Sequence, residues 1–285
     1  MQKRAGSDRL PPWFKVRLTM SERSAEVRSL VRLHKLHTVC TSAACPNLAE
    51  CWNRGTATFM ILGNLCTRGC NFCNVSKGIP QPIDPDEPYR VARTIQSLQL
   101  RYAVITSVTR DDLADGGASL FAETIEAINA IVPGCRVEVL IPDFQGSAGA
   151  LHCVLDAGPH VLGHNLETVP SQYRRVRPQA DYGRSIDLLA RARQHGAVTK
   201  TGLMLGVGET REEVLAVMRD LRRIECSILT LGQYLRPTKL HLPVEKYYHP
   251  DEFEALRKNA LSMGFRYVAA GPLVRSSYHA EQFHS

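Results

Sequence analysis

The chain has 285 residues, 44% of them apolar, which is enough to bury the core of one or two domains. It has no run of 18 apolar residues, and no apolar block followed by a small-residue cleavage site near the N-terminus, so a cytoplasmic chain without membrane span or secretory leader is expected. The net charge of +7 is concentrated at one end, where residues 1–40 carry nine Lys/Arg against three Asp/Glu. Such an arm suits an acidic protein partner or stands simply as a solvated arm, and without basic repeats spaced by aromatics no nucleic-acid partner is expected.

Residues 1–58 read as an extension that holds Cys40, Cys45 and Cys51 in CTSAACPNLAEC. From residue 59, short β-branched runs alternate with amphipathic ones. Strands are predicted at 59–63, 102–108, 135–142, 160–167, 198–206 and 227–235, and helices at 89–100, 118–132, 149–157, 185–195, 211–224 and 250–264. In 118–132, Leu120, Phe121, Ile125, Ile128 and Ile131 keep helical spacing. Strands alternating with helices imply parallel pairing through crossovers. The fold expected is α/β, a partial (βα)6 TIM-like barrel over 59–240, with residues 1–58 and 241–285 closing over the barrel mouth. The segment 267–285 shows turn chemistry and no helical period. Polar, Gly-rich motifs follow the strands, so the site belongs at their C-terminal ends.

Nine cysteines in a chain of this kind argue for a reducing compartment and metal ligation over disulfides. Cys66, Cys70 and Cys73, in CTRGCNFC, follow the first predicted strand. A structural zinc site wants four ligands, whereas each cysteine group offers three. Two sets of three soft ligands point to two iron–sulfur cubanes, each with one iron held by something other than cysteine. Cys135, Cys153 and Cys226 read as small core residues, and His34, His37 and His164 as structural. Gly206-Val207-Gly208 lacks a third glycine at Arg211, so no dinucleotide fingerprint is present.

CTRGCNFC resembles the signature of the radical S-adenosylmethionine enzymes. The resemblance implies a [4Fe–4S] cluster on Cys66, Cys70 and Cys73, whose free iron chelates S-adenosylmethionine and whose electron releases a 5′-deoxyadenosyl radical. CTSAACPNLAECW with RSSYHA, joined by LPPWFKVRL, TSVTRDDLADGGA, HNLETV and LRPTKLHLPVEKYYHPDEF, is similar to the lipoyl synthase family over nearly the whole chain. That resemblance implies a second, auxiliary [4Fe–4S] cluster on Cys40, Cys45 and Cys51, with Ser277 as its fourth ligand. On its residues alone, Ser277 is a cap or a solvated hydroxyl. To serve as ligand, it has to fold back across the barrel mouth.

The resemblance further implies S-adenosylmethionine contacts at Asp115, Gly116, Gly117, Asn165, Glu167 and Arg177. Asp-Gly-Gly also makes turns and caps, and Arg177-Pro178 also reads as a turn. The activity implied is insertion of two sulfur atoms, at C6 and C8 of an octanoyl chain on a carrier lysine. Implied partners are the lipoyl domains of oxo-acid dehydrogenase E2 and the glycine cleavage H protein, with an electron donor such as flavodoxin or ferredoxin. Two other readings stay open on the sequence: a biotin-type or tRNA-type sulfur-inserting or methylthiolating radical enzyme, and a metal-binding redox sensor.

Overall fold

The computed structural model describes residues 10–14, 21–43, 45–53, 57–278 and 280–282. Much of the basic arm (1–9 and 15–20) and His279 of RSSYHA lie outside them. Helix α1 (Glu22–Leu33), strand β1 (His37–Thr38) and two short helices, α2 (Val39–Ser42) and α3 (Leu48–Asn53), precede β2 (Thr58–Ile61). Then come α4 (Glu87–Ser97), β3 (Tyr102–Ser107), α5 (Ala118–Ile131), β4 (Arg136–Leu140), α6 (Ala148–Asp156) and β5 (Val161–Gly163). The series continues with α7 (Tyr173–Val176), α8 (Tyr182–Gln194), β6 (Thr199–Leu205), α9 (Arg211–Arg223), β7 (Ile228–Gln233), α10 (Pro250–Ser262) and β8 (Tyr267–Gly271).

The strands form one eight-stranded sheet in sequential order. From β2 to β8 every pairing is parallel, and β1 pairs antiparallel with β2. The six predicted strands are β2 to β7. Two further strands extend the sheet, β1 at one edge and β8 at the other, so the sheet runs past residue 240.

Alternation along the strands divides the sheet into two faces. Phe59, Ile61, Ala103, Ile105, Val137 and Val139 share a core with Val91, Ile95, Phe121 and Ile125 of α4 and α5. Leu203, Leu205, Leu229 and Leu231 do the same with Val214, Val217 and Met218 of α9. The opposite face looks inward. There Tyr102, Val104, Val161 and Ile228, from β3, β5 and β7, gather around Ala280, which a flat sheet could not allow. The sheet therefore curls around a lumen.

The C-terminal tail occupies that lumen. After β8 it passes over Gly232 so closely that a Cβ there would stand 2.1 Å from Val274 O. Further on, Ser277 Oγ accepts a hydrogen bond of 2.9 Å from Thr58 Oγ1, at the start of β2. Ala280 then packs on the first residues of the inner strands. The tail enters from the mouth and descends to the N-terminal ends of the strands.

Candidate functional site

The loop leaving β2 carries Cys66, Cys70 and Cys73 at the C-terminal end of the strands. It is closed on itself: Cys66 N–H donates to Ser76 O (2.9 Å), Gly78 N–H to Cys66 O (3.2 Å) and Cys73 N–H to Cys70 O (3.2 Å). Neighbouring segments clamp it. Asn71 N–H donates to Val176 O (2.9 Å) and Leu242 N–H to Asn71 O (3.2 Å). The His241 ring Nε2 meets Cys73 O at 3.0 Å. The Cys66 sulfur accepts from the backbone N–H groups of Arg68 and Thr109, each at 3.4 Å. Two backbone N–H groups thus converge on one sulfur. Burial pushes the other two thiols up, Cys73 to about 11, with charge on Cys70, Cys66 and Glu167 adding to the rise. A cationic group that displaces the protons offsets that cost.

Beneath the loop lies a charge network that the sequence reading missed. Arg68 grips Asp111 with two hydrogen bonds (2.6 and 2.8 Å) and Asp143 with a third (2.6 Å). Burial opposes the charge on Asp143, yet hydrogen bonding and attraction from Arg68 hold its carboxyl down at about 2. The pair spans 75 residues of sequence and ties the cysteine loop to the end of β4. Nothing in local spacing announces it.

Across the mouth, Asn165 and Glu167 follow β5. Glu167 has a positive φ of 65° and is fastened between Gly202 O and Met204 N–H, at 2.9 and 2.8 Å. Arg177 Nη1 donates to Asn165 O (2.7 Å) and Leu166 O (3.2 Å). Burial raises the Glu167 carboxyl, opposed chiefly by the Arg177 charge. Asn165 Oδ1 and Arg177 Nε are buried without a hydrogen-bond partner among the described residues. Unpartnered polar atoms beside a cysteine loop fit a polar, zwitterionic ligand such as S-adenosylmethionine.

Asp115, Gly116 and Gly117 form the turn into α5. The Asp115 carboxylate accepts from Gly117 N–H (2.9 Å), Ser119 N–H (2.8 Å) and Ser119 Oγ (2.7 Å). Gly117, at φ 89°, has no room for a Cβ, which would stand 2.3 Å from Leu62 Cδ1. The turn thus brings backbone close to the end of β2, just before the cysteine loop.

The other three cysteines stand at the opposite end of the barrel. Because β1 runs antiparallel to β2, Cys40, two residues after β1, is delivered where β2 begins. Cys40, Cys45 and Cys51 line one cavity with Thr58, Arg275 and Ser277. Besides the bond between Thr58 and Ser277, further hydrogen bonds hold the tail here. Asn47 Nδ2 donates to Leu273 O (2.6 Å), and Tyr278 OH meets the Glu50 carboxylate at 2.9 and 3.1 Å. Burial raises the Cys40 and Cys45 thiols, and Arg275 lowers Cys45 in return. Among the described residues, no three His, Cys, Asp or Glu side chains are grouped tightly enough for a single metal ion. Three thiols and a hydroxyl spread around a shared cavity instead suit a multi-atom iron–sulfur group.

The remaining candidates are structural. His164 is buried, with Nδ1 against Ile141 O (2.9 Å) and Nε2 against Ser185 Oγ (3.0 Å), and burial lowers its pKa to about 4. Cys135 and Cys226 are core residues, and Cys153 is half-buried on α6.

Comparison with known proteins supplies the family. Residues 60–221 match the radical SAM superfamily. The chain is 56% identical over 274 residues to a lipoyl synthase of Koribacter versatilis, covering 95% of this chain and 90% of the relative. It is 53% identical over 281 residues to a lipoyl synthase of Chlorobaculum parvum, covering 98% and 96%. The chain is a member of the lipoyl synthase family. Lipoyl synthases are radical S-adenosylmethionine enzymes that use [4Fe–4S] clusters, so the redox-sensor reading falls, as does that of a biotin-type or tRNA-type enzyme. Solved structures agree on the fold. Methylornithine synthase (PylB) superposes with a TM-score of 0.54 at 14% identity, covering 95% of this chain and 89% of that one. Streptococcus suis SuiB bound to S-adenosylmethionine gives 0.60 at 10%, covering 79% and 54%.

Proposed function

We propose that this chain inserts two sulfur atoms, at C6 and C8, into an octanoyl chain amide-linked to a lysine of a carrier domain. The observation that carries the reading is the meeting of Ser277 with Cys40, Cys45 and Cys51 on one cavity, in a chain that carries Cys66, Cys70 and Cys73 on a separate loop. Cys66, Cys70 and Cys73 hold one [4Fe–4S] cluster, and Cys40, Cys45, Cys51 and Ser277 the other. When bound, the first supplies the electron that cleaves S-adenosylmethionine, and the second supplies sulfide.

The chain's own residues set the geometry around those groups. Asn165, Glu167 and Arg177 receive the polar end of S-adenosylmethionine, with Gly116 and Gly117 letting backbone approach from the other side and Asp115 fixing their turn. Ser277 offers a harder oxygen than a thiolate, so its hold on iron is the easiest of the four to release.

An anaerobic assay with an octanoyl-lysine peptide tests the activity. Formation of 5′-deoxyadenosine and a product heavier by two sulfur atoms is expected; unchanged peptide would reject the reading. Ser277→Cys tests the ligand assignment: the cluster should assemble and sulfur transfer fail, and full insertion by this variant would refute the role of a labile oxygen. The carriers would be lipoyl domains of oxo-acid dehydrogenase E2 and the glycine cleavage H protein, and an electron donor such as flavodoxin or ferredoxin would reduce the enzyme's clusters. The basic residues of 1–40 suit an acidic carrier, and binding should weaken with salt. No helix among the described residues is long and apolar enough to cross a membrane.

A further inference from the structure

Two loops at the mouth turn apolar side chains outward. Leu240 is 96% exposed and Ile79 90%, more than any other large apolar residue among the described ones. Scattered apolar exposure is commonplace, so the setting of these two matters. Leu240 rides on a braced turn. Arg236 Nε donates to His241 O (2.9 Å) and its Nη2 to Lys239 O. His241 N–H donates to Thr238 O (3.0 Å) and Leu240 N–H to Thr238 Oγ1 (3.2 Å), while the same hydroxyl meets His241 Nδ1 at 2.9 Å. The turn is fastened in turn to the loop of Cys66, Cys70 and Cys73, through His241 on Cys73 O and Leu242 N–H on Asn71 O. A leucine on a turn so bonded stays outside, and little further ordering is needed when a partner covers it. Ile79 leaves the same loop from its other end, directly after Gly78, whose N–H bonds Cys66 O.

Charge at this rim is one-sided. Segments 74–83 and 235–242 hold Lys77, Arg236 and Lys239 and no Asp or Glu. The carboxylates bordering them are already engaged, Glu245 by Arg175, Glu252 by Lys246 (2.6 Å) and Asp84 by Arg90 (2.8 Å). Lys77, Arg236 and Lys239 have no such partner among the described residues. The described start of the basic arm reaches the same rim. The Trp13 ring meets His249 at 4.9 Å and the Phe14 ring meets Tyr247 at 5.6 Å, on the stretch that bonds the ends of β6 and β7. Apolar side chains ringed by uncompensated cations fit a protein surface that is apolar at its centre and acidic around it.

We propose that the braced turn at Leu240, together with Ile79, Lys77 and Lys239, is the docking surface for the acidic domain that carries the octanoyl-lysine. The inference rests on the activity proposed above and adds where the body of the carrier sits. Docked there, the domain stands beside the loop of Cys66, Cys70 and Cys73, and its acylated lysine enters the lumen from that side. A short octanoyl-lysine peptide brings the acyl arm without the domain, so it has no use for these residues.

Binding and turnover by the reconstituted full-length chain test this, with an octanoylated lipoyl domain and an octanoyl-lysine peptide as the two probes. Leu240→Ser should weaken binding of the domain about tenfold or more, at low and high salt alike. Lys239→Glu should weaken it about threefold to tenfold at low salt, an effect that fades by about 1 M. In turnover both variants should raise KM for the domain by similar factors. Their kcat, iron content and KM for the peptide should stay within about twofold of wild type. Leu33→Ser, at an exposed leucine on α1 outside these segments, should change nothing.

Unaltered domain binding in Leu240→Ser would overturn the proposal. So would equal losses with domain and peptide, or a matching loss of iron, since either marks the turn as a structural part of the mouth. A loss in Leu33→Ser as large as that in Leu240→Ser would overturn it as well. A wild-type chain that adds no sulfur to either probe rejects the activity, and this inference with it. Normal product from a Leu240→Ser chain that binds the domain as wild type does rejects this inference alone.

Discussion

The two thiol sites of this chain are built in opposite ways. At the mouth, Cys66, Cys70 and Cys73 sit within eight residues on a loop that closes through its own backbone, between Cys66, Ser76 and Gly78. At the far end, the cavity takes Cys40, Cys45 and Cys51 from before β2 and Ser277 from after β8. The first is a local motif braced from outside; the second exists only when the two ends of the chain meet. A local site tolerates loss of distant sequence, and a non-local one does not.

Ending the chain at Pro272 should show this most strongly. Iron should fall from about eight to about four per chain, with 5′-deoxyadenosine still formed and sulfur insertion abolished. Cys70→Ala should give the mirror image: about four irons retained, no 5′-deoxyadenosine and no product. Anaerobic iron counting with product analysis reads both, and equal damage to the two sites by the truncation would break the contrast.

A smaller effect concerns the braces. Asp143→Asn leaves Arg68 short of a buried partner and should cost about 3–5 kcal/mol in urea unfolding, mostly by loosening the mouth loop. The same carboxylate predicts a pH dependence. Its pKa of about 2 in the folded chain lies below that of an ordinary aspartate, so its contribution is complete above the ordinary value and is lost as pH falls from about 4 toward 2. Roughly 2–3 kcal/mol of stability should go over that interval in the cluster-free wild type, and Asp143→Asn should flatten the curve there. The smallest change is Thr58→Val, which removes the hydrogen bond to Ser277. It should cost about 1 kcal/mol and show as faster loss of far-end iron to a chelator, with the mouth site unaffected.

The same contrast governs what could be read in advance. CTRGCNFC is legible because its chemistry lies in its spacing, and β2 to β7 because parallel strands buried on both faces leave long apolar runs. Strand β8, with Ala269, Ala270 and Gly271, has weak β-propensity and is held by pairing with β7, so composition hides it. Strand β1 is two residues long, too short for any periodicity, yet its antiparallel direction decides which end of the barrel receives Cys40. Ser277 carries no signal of its own and was found only through resemblance. Arg68 and Asp143 are ordinary charged residues until the fold joins them across the floor of the mouth.

At Gly232 the tail passes tightly against the barrel wall. A methyl group there would drive into the Val274 carbonyl, and backbone cannot swing aside as a long side chain can. The inner wall at that height must therefore stay bare, whatever a strand would otherwise prefer. The bare wall leaves the passage its clearance, so one hydrogen atom at position 232 decides whether a segment more than 40 residues later can pass inside at all.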